Sequence, residues 1–375
     1  MAKKQEYIMV SIEYALLEPH FSRRIFSEII HKITPDFLSQ AIDVSSDLDR
    51  NALKPVKGLP GYFTYGWKKA VDEIIRVNHL GIQYISLRFV SHAGDLNDIN
   101  KSMTTFETIL SLIQQEIKHL PIKLIVDPFG LALTSDGQWG ILRDHKSFDR
   151  EKTYTLLERV GYILSRNHVY GVMTLGRIPE EVKLTKKGII EGGNNTKIFS
   201  FSQNSETSVA YVYLDSIGHN TGQKIQPGNV EEMDLWSLMD IWHGADVSVI
   251  KPMESYHLMS SLDYLIKNEV SRNSFLNSKI VAEMATQHDF IRKTLNEMRE
   301  NPDLLAEKCA RLKLAGYTVS GTTYILSLLA REKGANMARA RLEEMWLTAL
   351  GVMGENCECL IDRNASCFLE GSILY

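Results

Sequence analysis

The segment 247–250, Val-Ser-Val-Ile, is a short apolar run that ends abruptly in Lys251 and then Pro252. Burial disfavours the charged form of an amine, and a neutral amine attacks carbonyl carbon. The alternative is a lysine whose stem lies along the strand end while its ammonium reaches solvent. Other runs of strand length also end in polar residues. Asp127 closes one, Ser202, Gln203 and Asn204 close another, and Ser320 follows a third. If these ends share one mouth, an amine, a carboxylate and hydroxyl donors meet there. That is the layout of a Schiff-base site, in which the amine attacks a ketone and a neighbouring acid/base handles protons.

The elements that would position these residues can be read from periodicity. Strand-length apolar runs lie near 38–43, 82–89, 122–127, 169–174, 196–202, 246–250, 315–319 and 356–361. Many lack polar/apolar alternation, as expected for strands buried on both faces of a parallel sheet. Helical stretches fit between them at 66–79, 101–118, 151–166, 229–243, 321–333 and 337–352. Phe106, Ile109, Leu110, Ile113 and Ile117 share one helical face. Eight strands alternating with helices predict an α/β fold, a (β/α)₈ TIM barrel, with a doubly wound sheet as the alternative. In such a barrel the site lies at the C-terminal ends of the strands, where Lys251, Asp127, Asn204 and Ser320 fall. Residues 1–35 read as an N-terminal arm that packs on another subunit or caps its own barrel. Residues 36–375 form the barrel domain, with a charged helical insertion at 258–312 between the sixth and seventh strands.

Bulk properties narrow the function classes. The 375 residues are 44% hydrophobic and 23% charged with a net charge of -4, an ordinary globular composition that gives nucleic acid no basic surface. No apolar run reaches the roughly 18 residues of a membrane span, and no signal sequence opens the chain. Four cysteines make no disulfide framework. A cytoplasmic protein is the expectation. Cys357, Cys359 and Cys367 do not have zinc-site spacing, and Cys357 and Cys359, two apart in a strand, are expected on one face as packing residues.

Several segments, in consistent order, resemble the 5-aminolevulinate dehydratase (porphobilinogen synthase) family. They are Pro-Val-Lys-Gly-Leu-Pro-Gly at 55–61, Asp127, the loop 134–142, Gly-Arg-Ile at 176–178, Ser-Phe-Ser at 200–202, the run 244–256 around Lys251, and Val-Ser-Gly at 319–321. The resemblance implies a (β/α)₈ barrel whose arm organises homo-oligomers, from dimer to octamer. It also implies condensation of two 5-aminolevulinate molecules through two Schiff-base lysines. Lys251 matches the lysine for the first substrate, Ser320 a serine that binds its carboxylate, and Asp127 an aspartate near the other substrate.

The departures are as informative as the matches. Asn204 stands where the second lysine is implied, and an amide can only hydrogen-bond. Phe129, Leu131 and Trp139 occupy the implied metal-ligand positions, and Asp136 and Gln138 replace histidines. Apolar side chains do not bind zinc or magnesium, so no metal and no other cofactor is expected. In the lid at 211–227, Leu214 and Asn220 replace arginines and Lys224 is the remaining cation. Two functions follow. One is a metal-independent lyase or condensing enzyme acting on a small carbonyl substrate. There Lys251 is the amine, Asp127 or Tyr256 moves protons with His257 as a further candidate, and Ser320, Asn204, Ser202 and Lys224 bind substrate. The other is a pseudoenzyme kept for assembly or small-molecule binding.

Overall fold

The computed structural model describes residues 33–375, apart from 91–98, 133–139, 145–146, 176–177, 206 and 208–224. Residues 1–32 of the N-terminal arm therefore lie outside the described residues.

Eight parallel strands form the centre. They are β1 (Leu38–Val44), β2 (Tyr84–Phe89), β3 (Lys123–Asp127), β4 (Gly171–Thr174), β5 (Lys197–Asn204), β6 (Val247–Lys251), β7 (Lys313–Tyr317) and β8 (Cys357–Asp362). Each pairs with the next in sequence, and β8 pairs with β1 through Leu38↔Leu360 and Ser39↔Ile361, which closes the sheet into a barrel. Two short strands, Leu53–Pro55 and Phe63–Tyr65, extend the sheet from β1. The helices are α1 (Trp67–His79), α2 (Ile99–Ile117), α3 (Arg150–Arg166), α4 (Glu181–Gly192) and α5 (Val230–His243). Then come α6 (Tyr256–Lys267), α7 (Glu269–Leu276), α8 (Lys279–Ala285), α9 (Asp289–Glu300) and α10 (Pro302–Arg311). The last three are α11 (Ser320–Lys333), α12 (Ala335–Met353) and α13 (Ala365–Leu369). The (β/α)₈ barrel read from the pattern is thus the fold.

Two apolar layers hold it together, because every strand residue alternates between them. The outer layer lies between sheet and helices and takes Leu38, Ile42, Ile85, Leu87, Leu124 and Val126 from the strands. It also takes Met103, Phe106, Ile109, Leu110, Ile113 and Ile117 from α2, a helical stripe that includes the one visible in sequence. The inner layer fills the barrel with Ala41, Tyr84, Ile125, Met173, Phe199, Phe201, Val247, Val249, Ala315, Tyr317, Cys359 and Ile361.

Helix α4 has no counterpart among the helical stretches read from sequence. It packs against α3 at glycine distance. A Cβ on Gly188 would lie 1.9 Å from the Glu158 carbonyl oxygen, and one on Gly161 2.2 Å from that of Thr185. These glycines weaken the helical signal and are needed for the contact.

Two irregularities change which way side chains point. In β5, the pairing with β6 slips between Ser200↔Ser248 and Gln203↔Ile250. In β8, the pairing with β7 slips between Leu314↔Cys357 and Ala315↔Cys359. An extra residue of this kind reverses the alternation beyond it. Cys357 consequently packs against the outer layer and Cys359 in the inner one, so the single face expected for the pair is corrected.

The insertion is built of five short helices, α6 to α10. Asn268, Ser278 and His288 each accept a hydrogen bond from a backbone N–H at the start of a helix, and Pro302 starts α10. It rests on α5, where Trp242 Nε1 donates to Glu297 at 3.0 Å and His243 Nε2 lies 2.9 Å from Thr294 Oγ1.

Candidate active site

The C-terminal ends of the strands form a rim, and strand alternation fixes what it presents. Inward positions follow Ala41 with Asp43, Tyr84 with Ser86 and Arg88, Ile125 with Asp127, Val249 with Lys251, and Ile361 with Arg363. Arg88 pairs in register with Asp43 on one side and Asp127 on the other, so three charged side chains lie in a row across β1, β2 and β3.

Lys251 is half-buried at the end of β6. Its Nζ lies 5.6 Å from the ring centre of Phe201 and 5.2 Å from that of Tyr317, within the range of cation–π attraction. Its carbonyl accepts from Ser205 N–H at 2.7 Å, which ties the exit of β6 to β5. Asn204 is its direct register partner. Asn204 is buried, and its Nδ2 has no hydrogen-bond partner among the described residues. Asp127 is 8% exposed at the end of β3, three strands away around the rim. Ser320 is buried at the start of α11, two residues beyond Thr318.

Ser202 does not reach this mouth. Ser200 and Ser202 alternate with the inward Phe199 and Phe201 and so face α5, where both hydroxyls donate to Asp240, and the slip in β5 turns Gln203 to the same side. The Gln203 amide donates to Asp234 at 3.1 Å and Ser237 at 3.0 Å. Burial pushes the Asp240 carboxyl up to about 7, against the lowering effect of the two hydroxyls. Phe201 and Asn204 are left facing inward. Tyr256 also lies elsewhere: it starts α6, packs on the outer layer and donates its hydroxyl to the Met345 carbonyl of α12 at 3.3 Å. Burial pushes its phenol up to about 12. His257 is exposed, with Nε2 3.2 Å from the Pro227 carbonyl. Lys224, Asp136, Gln138, Trp139, Leu214 and Asn220 lie outside the described residues, as does the side chain of Phe129.

Sequence reasoning missed half of the rim. Arg88 donates from Nε to Asp43 Oδ1 at 3.0 Å and from Nη2 to Oδ2, a two-point ion pair. The Tyr62 hydroxyl lies 3.0 Å from the same Oδ1 and 3.2 Å from the Ala41 carbonyl. Burial and then Asp43 push the Tyr62 phenol well above its ordinary value, so it stays a donor. Arg363 is buried between the rings of Tyr62 and Tyr317, with its guanidinium carbon 5.3 and 6.0 Å from their centres. Counting every second residue from the middle of each strand would have found Asp43, Arg88 and Arg363.

A metal does not fit the one implied ligand position that can be assessed. Leu131 is packed in the outer apolar layer and offers no donor atom.

A (β/α)₈ barrel with a lysine, a carboxylate and arginines on its C-terminal rim has charged groups where barrels of this class receive small molecules. Residues 15–268 match the family described as Delta-aminolevulinic acid dehydratase, and the chain belongs to that family. The delta-aminolevulinic acid dehydratase of Methanothermobacter thermautotrophicus is 20% identical over 236 residues, covering 60% of this chain and 71% of the relative. That of Helicobacter pylori is 25% identical over 233 residues, covering 59% and 70%. Among solved structures, the delta-aminolevulinic acid dehydratase (porphobilinogen synthase) of Toxoplasma gondii, in complex with its reaction product porphobilinogen, superposes with a TM-score of 0.68. It is 16% identical, with 93% of this chain and 89% of that one covered, and supports the fold.

Proposed function

We propose that this protein is a Schiff-base enzyme of the lyase or condensing type, acting on 5-aminolevulinate or a related aminoketone or keto acid. The observation that carries the reading is Lys251, held at the rim against the faces of Phe201 and Tyr317 and in register with Asn204. The amine of Lys251 adds to the ketone carbon, the oxygen leaves as water, and a protonated imine remains. The two aromatic faces stabilise its positive charge. Asp127, on the same rim, accepts or returns the proton that the step requires.

Asn204 stands where the resemblance implies a second lysine, and Leu131 where it implies a metal ligand. Without those groups the ordinary two-substrate condensation to porphobilinogen lacks one imine and its Lewis acid, each worth several kcal/mol of barrier. The proposed reaction is therefore metal-independent and gives a different product. The same two substitutions favour a second reading, a barrel that binds a small molecule without turnover. A homo-oligomer built through the N-terminal arm is part of the proposal, and analytical ultracentrifugation giving a monomer would remove it.

The test is incubation with 5-aminolevulinate and a panel of keto acids, followed by borohydride and intact-mass analysis. A reduced adduct, absent in Lys251→Ala, is the expected result. No adduct from a folded protein would replace the enzyme with the binding reading.

A further inference from the structure

At the opposite end of the strands from the rim, and outside the barrel wall, a groove of about 430 Å³ opens between the C-terminal ends of α2 and α3. That volume lies in the range of small-molecule sites. Ile117, Leu120 and Ile122 give it an apolar floor, and Lys118, Arg166 and His168 give it a basic edge. Among the described residues no carboxylate lines it. Lys118, Arg166 and His168 are exposed and form no ion pair with any described residue. The neighbouring acid of α2, Glu116, is taken by Lys68 at 3.0 Å. Basic groups that share a groove repel one another until an anion joins them.

The wall that carries His168 is braced. Asn167 closes α3 by donating from Nδ2 to the Ile163 carbonyl at 2.9 Å. From α2, Ser111 donates to Asn167 Oδ1 at 2.7 Å and the Gln114 amide to the Asn167 carbonyl at 2.9 Å. These bonds tie the two helix ends together and fix the start of the turn. His168 then takes a φ of +52°, and among the described residues it is the one non-glycine with positive φ. Left-handed backbone is costly for a residue with a Cβ, and strain of this kind gathers at ligand sites. The helix dipoles account for a lysine and an arginine at these helix ends. They do not account for the histidine, which lies past the helix.

We propose that this groove is a second binding site, for a small phosphate monoester with a planar, apolar body. The fork of Arg166, the point charge of Lys118 and the imidazole of His168 suit a compact dianion, and the floor takes the body. The site stands without the Schiff-base reading, because none of its residues lies on the rim.

The probes are phenyl phosphate, phenol and inorganic phosphate, titrated into the full chain by calorimetry and followed by amide hydrogen exchange. Phenyl phosphate is expected to bind about tenfold more tightly than phenol or inorganic phosphate, and more weakly as salt rises. It should slow exchange in peptides covering 111–122 and 163–170. Lys118→Gln and Arg166→Gln should each weaken it about three- to tenfold. His168→Asn should weaken it too while melting no lower, because Asn suits left-handed backbone. Arg363→Gln, on the rim, should leave it unchanged. Phenyl phosphate bound no tighter than phenol overturns the proposal, as does an affinity that follows Arg363 rather than Arg166. K118Q and R166Q proteins that melt lower with affinity intact also overturn it, since those cations then serve only their helix ends. Exchange on the unmodified chain locates the site without any variant, and protection confined to rim peptides overturns the assignment.

Discussion

The two ends of the barrel treat buried charge in opposite ways. At the N-terminal end, Tyr84, Lys123, Tyr170, Lys197 and Glu358 form one connected network. Lys123 Nζ donates to the Tyr84 hydroxyl at 2.9 Å, and Lys197 Nζ to the Tyr170 hydroxyl at 2.7 Å and to Glu358 at 3.0 Å. Both tyrosine hydroxyls donate to the same Glu358 oxygen. Burial alone would raise the Glu358 carboxyl, but the hydrogen bonds from Tyr170 and Lys197 outweigh it and hold it below its ordinary value. Each cation there has a partner. At the C-terminal end, Asp43 and Arg88 satisfy each other, while Arg363 and the Asn204 amide keep polar atoms unpaired among the described residues. A saturated network plugs and stiffens a barrel, and an unsaturated rim is prepared for something that arrives. Two lysines on aromatic faces, Lys197 and Lys251, therefore have different meanings.

The largest effect expected from this contrast concerns those lysines. Lys251→Ala should abolish borohydride trapping, whereas Lys197→Met should leave trapping within a few-fold and lower the unfolding free energy by about 1–3 kcal/mol. Intact mass and denaturant unfolding on the two variants check this.

Next is Asp240 behind β5. Its folded-state value is raised from 3.8 to about 7, so folding takes up a proton there. The associated stability is full below about pH 3.8 and is lost as pH rises through about 7. Relative to Asp240→Asn, the unmodified protein should lose on the order of 2–4 kcal/mol between pH 5 and pH 8. Parallel pH dependences in denaturant unfolding would contradict this.

Glu358 has the opposite sign. Its folded-state value is lowered from 4.5, so its contribution is present above that pH and is lost as pH falls through the folded value. Glu358→Gln should cost about 1–3 kcal/mol at pH 7, with the gap closing in acid. The smallest effect belongs to Tyr256. Tyr256→Phe removes one hydrogen bond to the helix layer, so about 0.5–1.5 kcal/mol of stability goes and trapping is unchanged. A loss of trapping would return Tyr256 to the reaction.

The strands and most helices were legible because their burial on two faces, or on one stripe, is written directly in residue spacing. Lys251 and Asp127 were legible as strand-end residues for the same reason, whereas Ser320 opens α11 beyond the end of its strand. The rest depended on parity. One slip in β5 sends Gln203 to α5 and Asn204 to the mouth, and one in β8 separates Cys357 from Cys359. Such slips arise from pairing between distant strands, and nothing local in Ser-Phe-Ser-Gln-Asn marks them. Helix α4 was hidden by the glycines that its contact with α3 requires. Arg363 sits one residue past its strand, where a charged side chain ordinarily signals a solvated loop.

The most direct test of the central claim is peptide-resolved mapping of protein reduced with borohydride in the presence of levulinate. Lys123, Lys197 and Lys251, which among the described residues face aromatic rings inside the barrel, are compared in one digest. The expected result is the added mass on the Lys251 peptide alone. Mass on Lys123 or Lys197, or on no lysine at all, would contradict the assignment of chemistry to the C-terminal rim.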